Sequence, residues 1–159
     1  MLKVIKIIFF SMKVEIFTDG ACVGNPGPGG WAAIIVTEND KKQIFGGENL
    51  TTNNRMELTA AIKALEYFTK LEEKQPSKKH IRIFTDSTYV KEGITVWINS
   101  WEKNNWKTAD KKNVKNVDLW KKLKELIQTS QVEWNWVKGH SEDPMNDLAD
   151  KLAKEATPI

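Results

Sequence analysis

Three features of the 159-residue sequence predict an α/β fold: a strand-forming meander, a long amphipathic helix after it, and a later strand that nearly repeats the first. The repeat is "EIFTDG" at 15–20 and "RIFTDS" at 82–87, each Ile-Phe-Thr-Asp followed by a small residue. A helix joining two strands of one sheet acts as a crossover and leaves those strands parallel. Asp19 and Asp86 are therefore expected to end neighbouring strands at the same edge.

Residues 1–11, "MLKVIKIIFFS", read as an appended strand or tail ahead of a single domain over 12–157. Their apolar run is too short to cross a bilayer, and no cleavage motif follows it. A chain of this length buries roughly two-thirds of the surface its unfolded form exposes, enough for one core. "KVEIFTD" alternates Val14, Ile16 and Thr18 with Glu15, Phe17 and Asp19, the period of a strand. The glycine-rich run then turns the chain. "WAAIIVT" reads as a second strand and, after "ENDKK", "KQIFGG" as a third, which makes an antiparallel meander.

From Asn53 to Leu71 the period becomes helical, with Met56, Ala60, Ala61, Ala64, Leu65 and Phe68 on one stripe. Thr51 or Thr52 is the expected cap and "EEKQPSKK" the stop. After the strand "HIRIFTDS", short helical pieces near 87–93 and 96–102 lead to a helix over Val117–Gln128. "QVEWNWV" is a fifth strand with Trp134 and Trp136 on one face, and "PMNDLADKLAKEA" is a closing helix with proline in its first turn.

Composition narrows the function classes. "TDGACVGNPGPGGW" is rich in glycine, but Gly30 is followed by Trp31, Ala32 and Ala33, so the lysine and hydroxyl of a triphosphate-binding loop are missing. The single cysteine, Cys22, excludes an internal disulfide framework and fits a reducing cytoplasm. The net charge is +3, yet the segment from Trp97 to Lys124 alone carries eight lysines against three acids. Such a concentration favours a polyanionic partner.

The acids carry the chemistry. A lone strand-end aspartate is ordinarily a turn former, but the duplicated context sets Asp19 and Asp86 together at the edge where α/β sheets collect ligands. Glu57 shares the core-facing stripe of the helix with Ala60, Ala61, Ala64 and Phe68. Two like charges about 4 Å apart cost around 4 kcal/mol at an effective dielectric near 20, so a carboxylate aimed at two aspartates requires a cation. Asp150 on the last helix is a candidate fourth acid. A cluster of hard oxygen donors with no cysteine or histidine selects magnesium or manganese over zinc. His140, in the loop "VKGHSEDP", titrates near neutral pH and can exchange protons near a metal-bound phosphate.

In order and context, "FTDGACVGNPGPGGWAAI", "TTNNRMEL", "IFTDSTYV", "WKTADKKNVKNVDLW" and "WVKGHSEDPMNDLAD" resemble the type 1 ribonuclease H enzymes, most closely the bacterial form, from about Met12 to Ala156. The resemblance implies a ribonuclease H-like fold, a five-stranded mixed sheet flanked by helices. It implies an endonuclease cutting the RNA strand of RNA–DNA hybrids with two magnesium ions, for which manganese can substitute, and leaving 5′-phosphate and 3′-hydroxyl ends. The family's metal-binding acids fall on Asp19, Glu57, Asp86 and Asp150, and its mobile histidine on His140. Asn25, Asn53 and Asn54, with the backbone around Gly20 to Cys22, match positions that touch RNA 2′-hydroxyls. Thr52 and Asn116 match a DNA-phosphate site, and Trp97, Trp101 and Trp106 match the basic handle on the DNA strand.

The sequence departs from the family pattern at Glu142 and Thr88, where glycine and glutamine are common, and at Asp147, where glutamate is usual. The expected setting is a cytoplasmic monomer with no membrane partner. On this reading the glycine-rich turn lets the backbone approach the shallow minor groove of an A-like duplex. Four intact acids argue against a silent hybrid-binding module, and the long lysine and tryptophan segment argues against a small phosphate ester as substrate.

Overall fold

The computed structural model describes residues 12–72, 79–138 and 143–159. The extension at 1–11, His140 and Glu142 lie outside the described residues. β1 (Met12–Cys22), β2 (Gly27–Val36) and β3 (Lys41–Thr51) form the expected antiparallel meander. α1 (Asn53–Glu72) then crosses over to β4 (Lys79–Thr85), which runs parallel to β1 with Phe17 opposite Phe84. Next come α2 (Thr88–Glu92), a turn of π geometry over Gly93–Trp97, α3 (Ile98–Lys103) and α4 (Val117–Gln128). β5 (Val132–Trp136) and α5 (Pro144–Ala156) close the chain. The sheet is five-stranded and mixed, in the order β3-β2-β1-β4-β5.

Strand alternation divides the core between two layers. Val14 and Ile16 of β1 and Ile81 and Ile83 of β4 pack with Ala61, Leu65 and Phe68 of α1 and Trp120 and Leu123 of α4. The opposite parity sends Phe17 and Ile34 toward Ala149 of α5, and Phe17 stacks on Phe84 with ring centroids 4.8 Å apart. The whole predicted stripe of α1 is buried. Thr52 caps that helix, its hydroxyl accepting the Arg55 N–H at 3.2 Å. Asp143 caps α5, accepting the Met145 N–H at 2.9 Å, with Pro144 in the first turn as expected.

The glycine-rich run differs from expectation. Only Val23 to Pro26 separates β1 from β2, and among these Gly24 alone has a left-handed backbone, at φ +79°. Gly29 and Gly30 lie inside β2, and β3 runs on past "KQIFGG" because its ladder with β2 continues to Thr51. The missing side chains make room inside the molecule. A Cβ on Gly30 would lie 2.0 Å from the Ala153 carbonyl oxygen, and one on Gly47 would lie 2.2 Å from that of Ala156, so both glycines seat the end of α5 on the sheet. Gly93 does the same for Trp120, whose ring would meet its Cβ at 1.9 Å. The two short helical pieces expected at 87–93 and 96–102 are continuous in the structure, joined by the π turn that starts at Gly93. Among the described residues no helix is long and apolar enough to cross a membrane.

Gly30→Ala forces α5 off the sheet and is expected to destabilise the fold by about 1–3 kcal/mol, the usual cost of overpacking. Denaturant titration with an unchanged m-value checks this.

Candidate active site

Gly20 sets the geometry. A Cβ there would lie 2.5 Å from the backbone nitrogen of Glu57 and 2.7 Å from the carbonyl carbon of Met56. The first turns of α1 therefore press directly on the end of β1, which brings Glu57 to Asp19. The loop before β2 steadies the start of α1: Asn25 Oδ1 accepts the Asn53 N–H at 2.8 Å. Asp19 does not end its strand as expected: the antiparallel ladder with β2 carries β1 on to Cys22, so Asp19 lies inside β1, its Oδ1 accepting the Gly20 N–H at 2.8 Å.

Asp86 follows β4 where the chain turns into α2. The turn is held by the Ser87 N–H donating to Thr85 Oγ1 at 3.1 Å and by Ser87 Oγ capping α2 through the Val90 N–H at 3.1 Å. One carboxylate oxygen from each of Asp19, Glu57 and Asp86 lies within 4.8 Å of the others. Asp150, from α5, lines the same depression of about 380 Å³, together with Gly20, Asn53 and Asn54. Its Oδ2 pairs with Lys154 Nζ at 2.9 Å.

The electrostatics are those of acids in need of a cation. Burial first, then the Asp86 charge, raise Asp19 from 3.8 to about 7, against the opposing pull of a hydrogen bond from the Glu57 carboxyl and of the Gly20 N–H. Burial, then the charges of Asp19 and Asp86, hold Glu57 well above the usual carboxylate range. Both shifts oppose having the two carboxyls ionised together when no metal is bound. Glu57 Oε2 is buried with no hydrogen-bond partner among the described residues, an arrangement that costs free energy unless something else meets it. Clustered carboxylate oxygens, one of them orphaned, fit a hard divalent ion such as Mg²⁺ or Mn²⁺.

The other expected contacts fall in two places. Gly20, Asn53 and Asn54 line the acid depression; Cys22 is outside that lining, its Sγ donating to the Thr51 carbonyl oxygen at 3.4 Å. Asn116 has a left-handed conformation at φ +60° and is joined to the depression through Tyr89, one of its lining residues. Its Nδ2 donates to Tyr89 Oη at 3.0 Å and its Oδ1 accepts from Arg55 at 3.3 Å. Trp97, Trp101 and Trp106 are half-buried and lie against one another in series, with Trp101 also against Trp120 at 5.3 Å. These rings build the handle as well as facing outward from it.

Sequence reasoning passed over Tyr89 and the Arg55–Asp118 pair. Tyr89 Oη accepts from Trp120 as well as Asn116, and Arg55 grips Asp118 through both terminal nitrogens at 2.8 and 3.0 Å. Both arginine and aspartate lie in motifs quoted above, but pairing across 63 residues leaves no local periodicity to read.

Because the folded value of Asp19 lies above its unfolded value, the folded state binds that proton more tightly. The resulting stabilisation is complete below about pH 4 and is lost as the pH rises through about 7. The metal-free protein is expected to be less stable at pH 8 than at pH 5. Both Asp19→Asn and millimolar Mg²⁺ should raise its melting temperature at pH 8, as thermal denaturation in EDTA and in Mg²⁺ would show.

The RNase H family model matches residues 11–157. A ribonuclease H of Parvibaculum lavamentivorans is 56% identical over 142 residues, covering 89% of this chain and 90% of that protein. Another from Methylobacillus flagellatus is 55% identical over 145 residues, covering 91% of each. Among solved structures, LC9-RNase H1, a type 1 RNase H with the type 2 active-site motif, superposes with a TM-score of 0.81 at 28% identity, covering 92% of this chain and 72% of that one. The RNase H1 of Halobacterium salinarum has a TM-score of 0.65 at 25% identity, covering 91% and 96%. Relatives more than half identical along nine-tenths of the chain, on a sheet that gathers its acids at one rim, lead to a single assignment: the chain belongs to the ribonuclease H family of hydrolases.

Proposed function

We propose that the chain, through a catalytic domain at 12–157, acts as a monomer that hydrolyses the RNA strand of RNA–DNA hybrids and leaves 5′-phosphate and 3′-hydroxyl ends. The observation that carries this reading is the convergence of Asp19, Glu57 and Asp86 within 4.8 Å at a rim also lined by asparagines. Two Mg²⁺ ions, or Mn²⁺ in their place, would supply Lewis-acid activation of the attacking water and stabilise the leaving 3′-oxygen. Asp19, Glu57 and Asp86 would hold them, with Asp150 from the facing helix. His140 would take up or return a proton as product leaves.

The chain's own groups account for substrate choice. Asn25, Asn53 and Asn54, with the backbone of Gly20 to Cys22, offer amide donors and acceptors to 2′-hydroxyls, which only the RNA strand possesses. Asn25 is tied to Asn53, so the two segments present these groups as one surface. Thr52, Asn116 and the handle with Trp97, Trp101 and Trp106 would take the DNA strand. Lysines of the handle neutralise phosphates, so affinity should fall as salt rises.

Labelled RNA–DNA, RNA–RNA and DNA–DNA duplexes test this directly, each with and without Mg²⁺. Cleavage confined to the RNA strand of the hybrid, dependent on metal, is expected, whereas cutting of DNA–DNA would transfer the site to another nuclease class. Asp19→Asn and Asp86→Asn should each lower kcat by at least about a thousandfold, the scale of losing a principal electrostatic contributor, with hybrid affinity nearly unchanged.

A further inference from the structure

Trp136, one of the two strand tryptophans evident in the sequence, takes part in none of the roles above. It is the last residue of β5, lies opposite Thr85 of β4 and remains 44% exposed. Its partner Trp134 packs into the main core, but the Trp136 ring lies at the rim. There the indole Nε1–H donates to the backbone carbonyl of Asp86 at 3.2 Å. Lys91 Nζ sits 5.3 Å from the ring centroid, a cation–π contact that holds the ring face from the α2 side.

Asp19 and Glu57 are buried, whereas Asp86 is half-buried, so among the three clustered acids its side chain has the most open side toward solvent. A side chain can swing less when the peptide after it is pinned. On one side of that peptide the β4 ladder fixes Thr85, and on the other Ser87 caps α2. The Trp136 indole engages the carbonyl between them. The next residue along, Val137, donates its N–H to the Thr85 carbonyl at 2.9 Å, which locks β5 to the same turn.

We propose that Trp136 is a positioning residue for Asp86: its indole N–H fixes the peptide following the acid and so keeps that carboxylate within reach of Asp19 and Glu57. The assignment rests on the reading of these acids as metal ligands. Hydrogen-bonded partners that orient metal ligands typically account for tenfold or more in metal affinity.

The test uses the full chain. Trp136→Phe keeps an aromatic face for Lys91 and removes the donor together with one ring of the indole; 3-benzothienylalanine at the same position removes the donor alone. Mn²⁺ affinity, measured by calorimetry without substrate, is expected to fall about tenfold. Turnover of an RNA–DNA hybrid at low Mg²⁺ should fall by a similar factor and recover at high Mg²⁺, with KM for the hybrid within about twofold of wild type. If the phenylalanine variant fails to fold, 3-benzothienylalanine at position 136 preserves the shape of indole with sulfur in place of N–H, and the same losses are expected. Unchanged Mn²⁺ affinity in a folded variant overturns the assignment. A raised KM with unchanged kcat and Mn²⁺ affinity also overturns it, by making the indole a substrate contact. The calorimetric measurement decides the matter even if wild-type protein leaves hybrids intact, so failure of the proposed function and failure of this assignment are read separately.

Discussion

The absence of one side chain governs the site. With hydrogen at Gly20, the backbone of α1 comes into direct contact with the end of β1, and the acids borne by the two elements cannot separate without moving a helix away from the sheet. That contact is bought with like-charge repulsion. Burial and mutual repulsion push the Asp19 and Glu57 carboxyls above their ordinary range, so protonation of either relieves part of it. A divalent cation would relieve more of it and would offer the orphaned Glu57 oxygen a partner. Metal binding and folding therefore act on the same groups.

The rest of the architecture keeps this contact rigid. Parallel pairing of β1 and β4, in register at Phe17 and Phe84, leaves Asp19 and Asp86 two residues beyond the last paired position on adjacent strands. α5 approaches from the opposite face of the sheet, seated by Gly30 and Gly47, and brings Asp150 to the same depression. Two helices on opposite faces, a strand and the turn that follows its parallel neighbour thus supply four acids without any of them lying on a long loop. Rigid elements hold such a constellation more closely than loops do. The handle is tied in separately: Tyr89, three residues beyond Asp86, accepts hydrogen bonds from Asn116 and Trp120, so the aromatic group and the turn bearing Asp86 share one helix.

Much of this was legible before folding. The duplicated Ile-Phe-Thr-Asp strands foretold a parallel pair with two acids at one edge, and the helical stripe foretold that Glu57 would be buried, because strand and helix periods are local properties of the backbone. The glycines were harder. Their density suggested a turn shaped for a ligand, but Gly29, Gly30 and Gly47 lie in strands and face other parts of the chain. The extent of β3 was also hidden, since an edge strand that is mostly exposed need not alternate.

From the order of residues alone came the identity of the acids, the class of metal they suit, the strand and helix sequence and the family resemblance, all of which follow from side-chain chemistry and short-range periodicity. Tertiary structure alone decided which glycines admit a neighbouring backbone, that Arg55 finds Asp118, and that the Trp136 indole reaches the carbonyl of Asp86. These are contacts between segments distant in the chain, and their existence depends on how closely packed elements approach one another, a distance that no local pattern encodes.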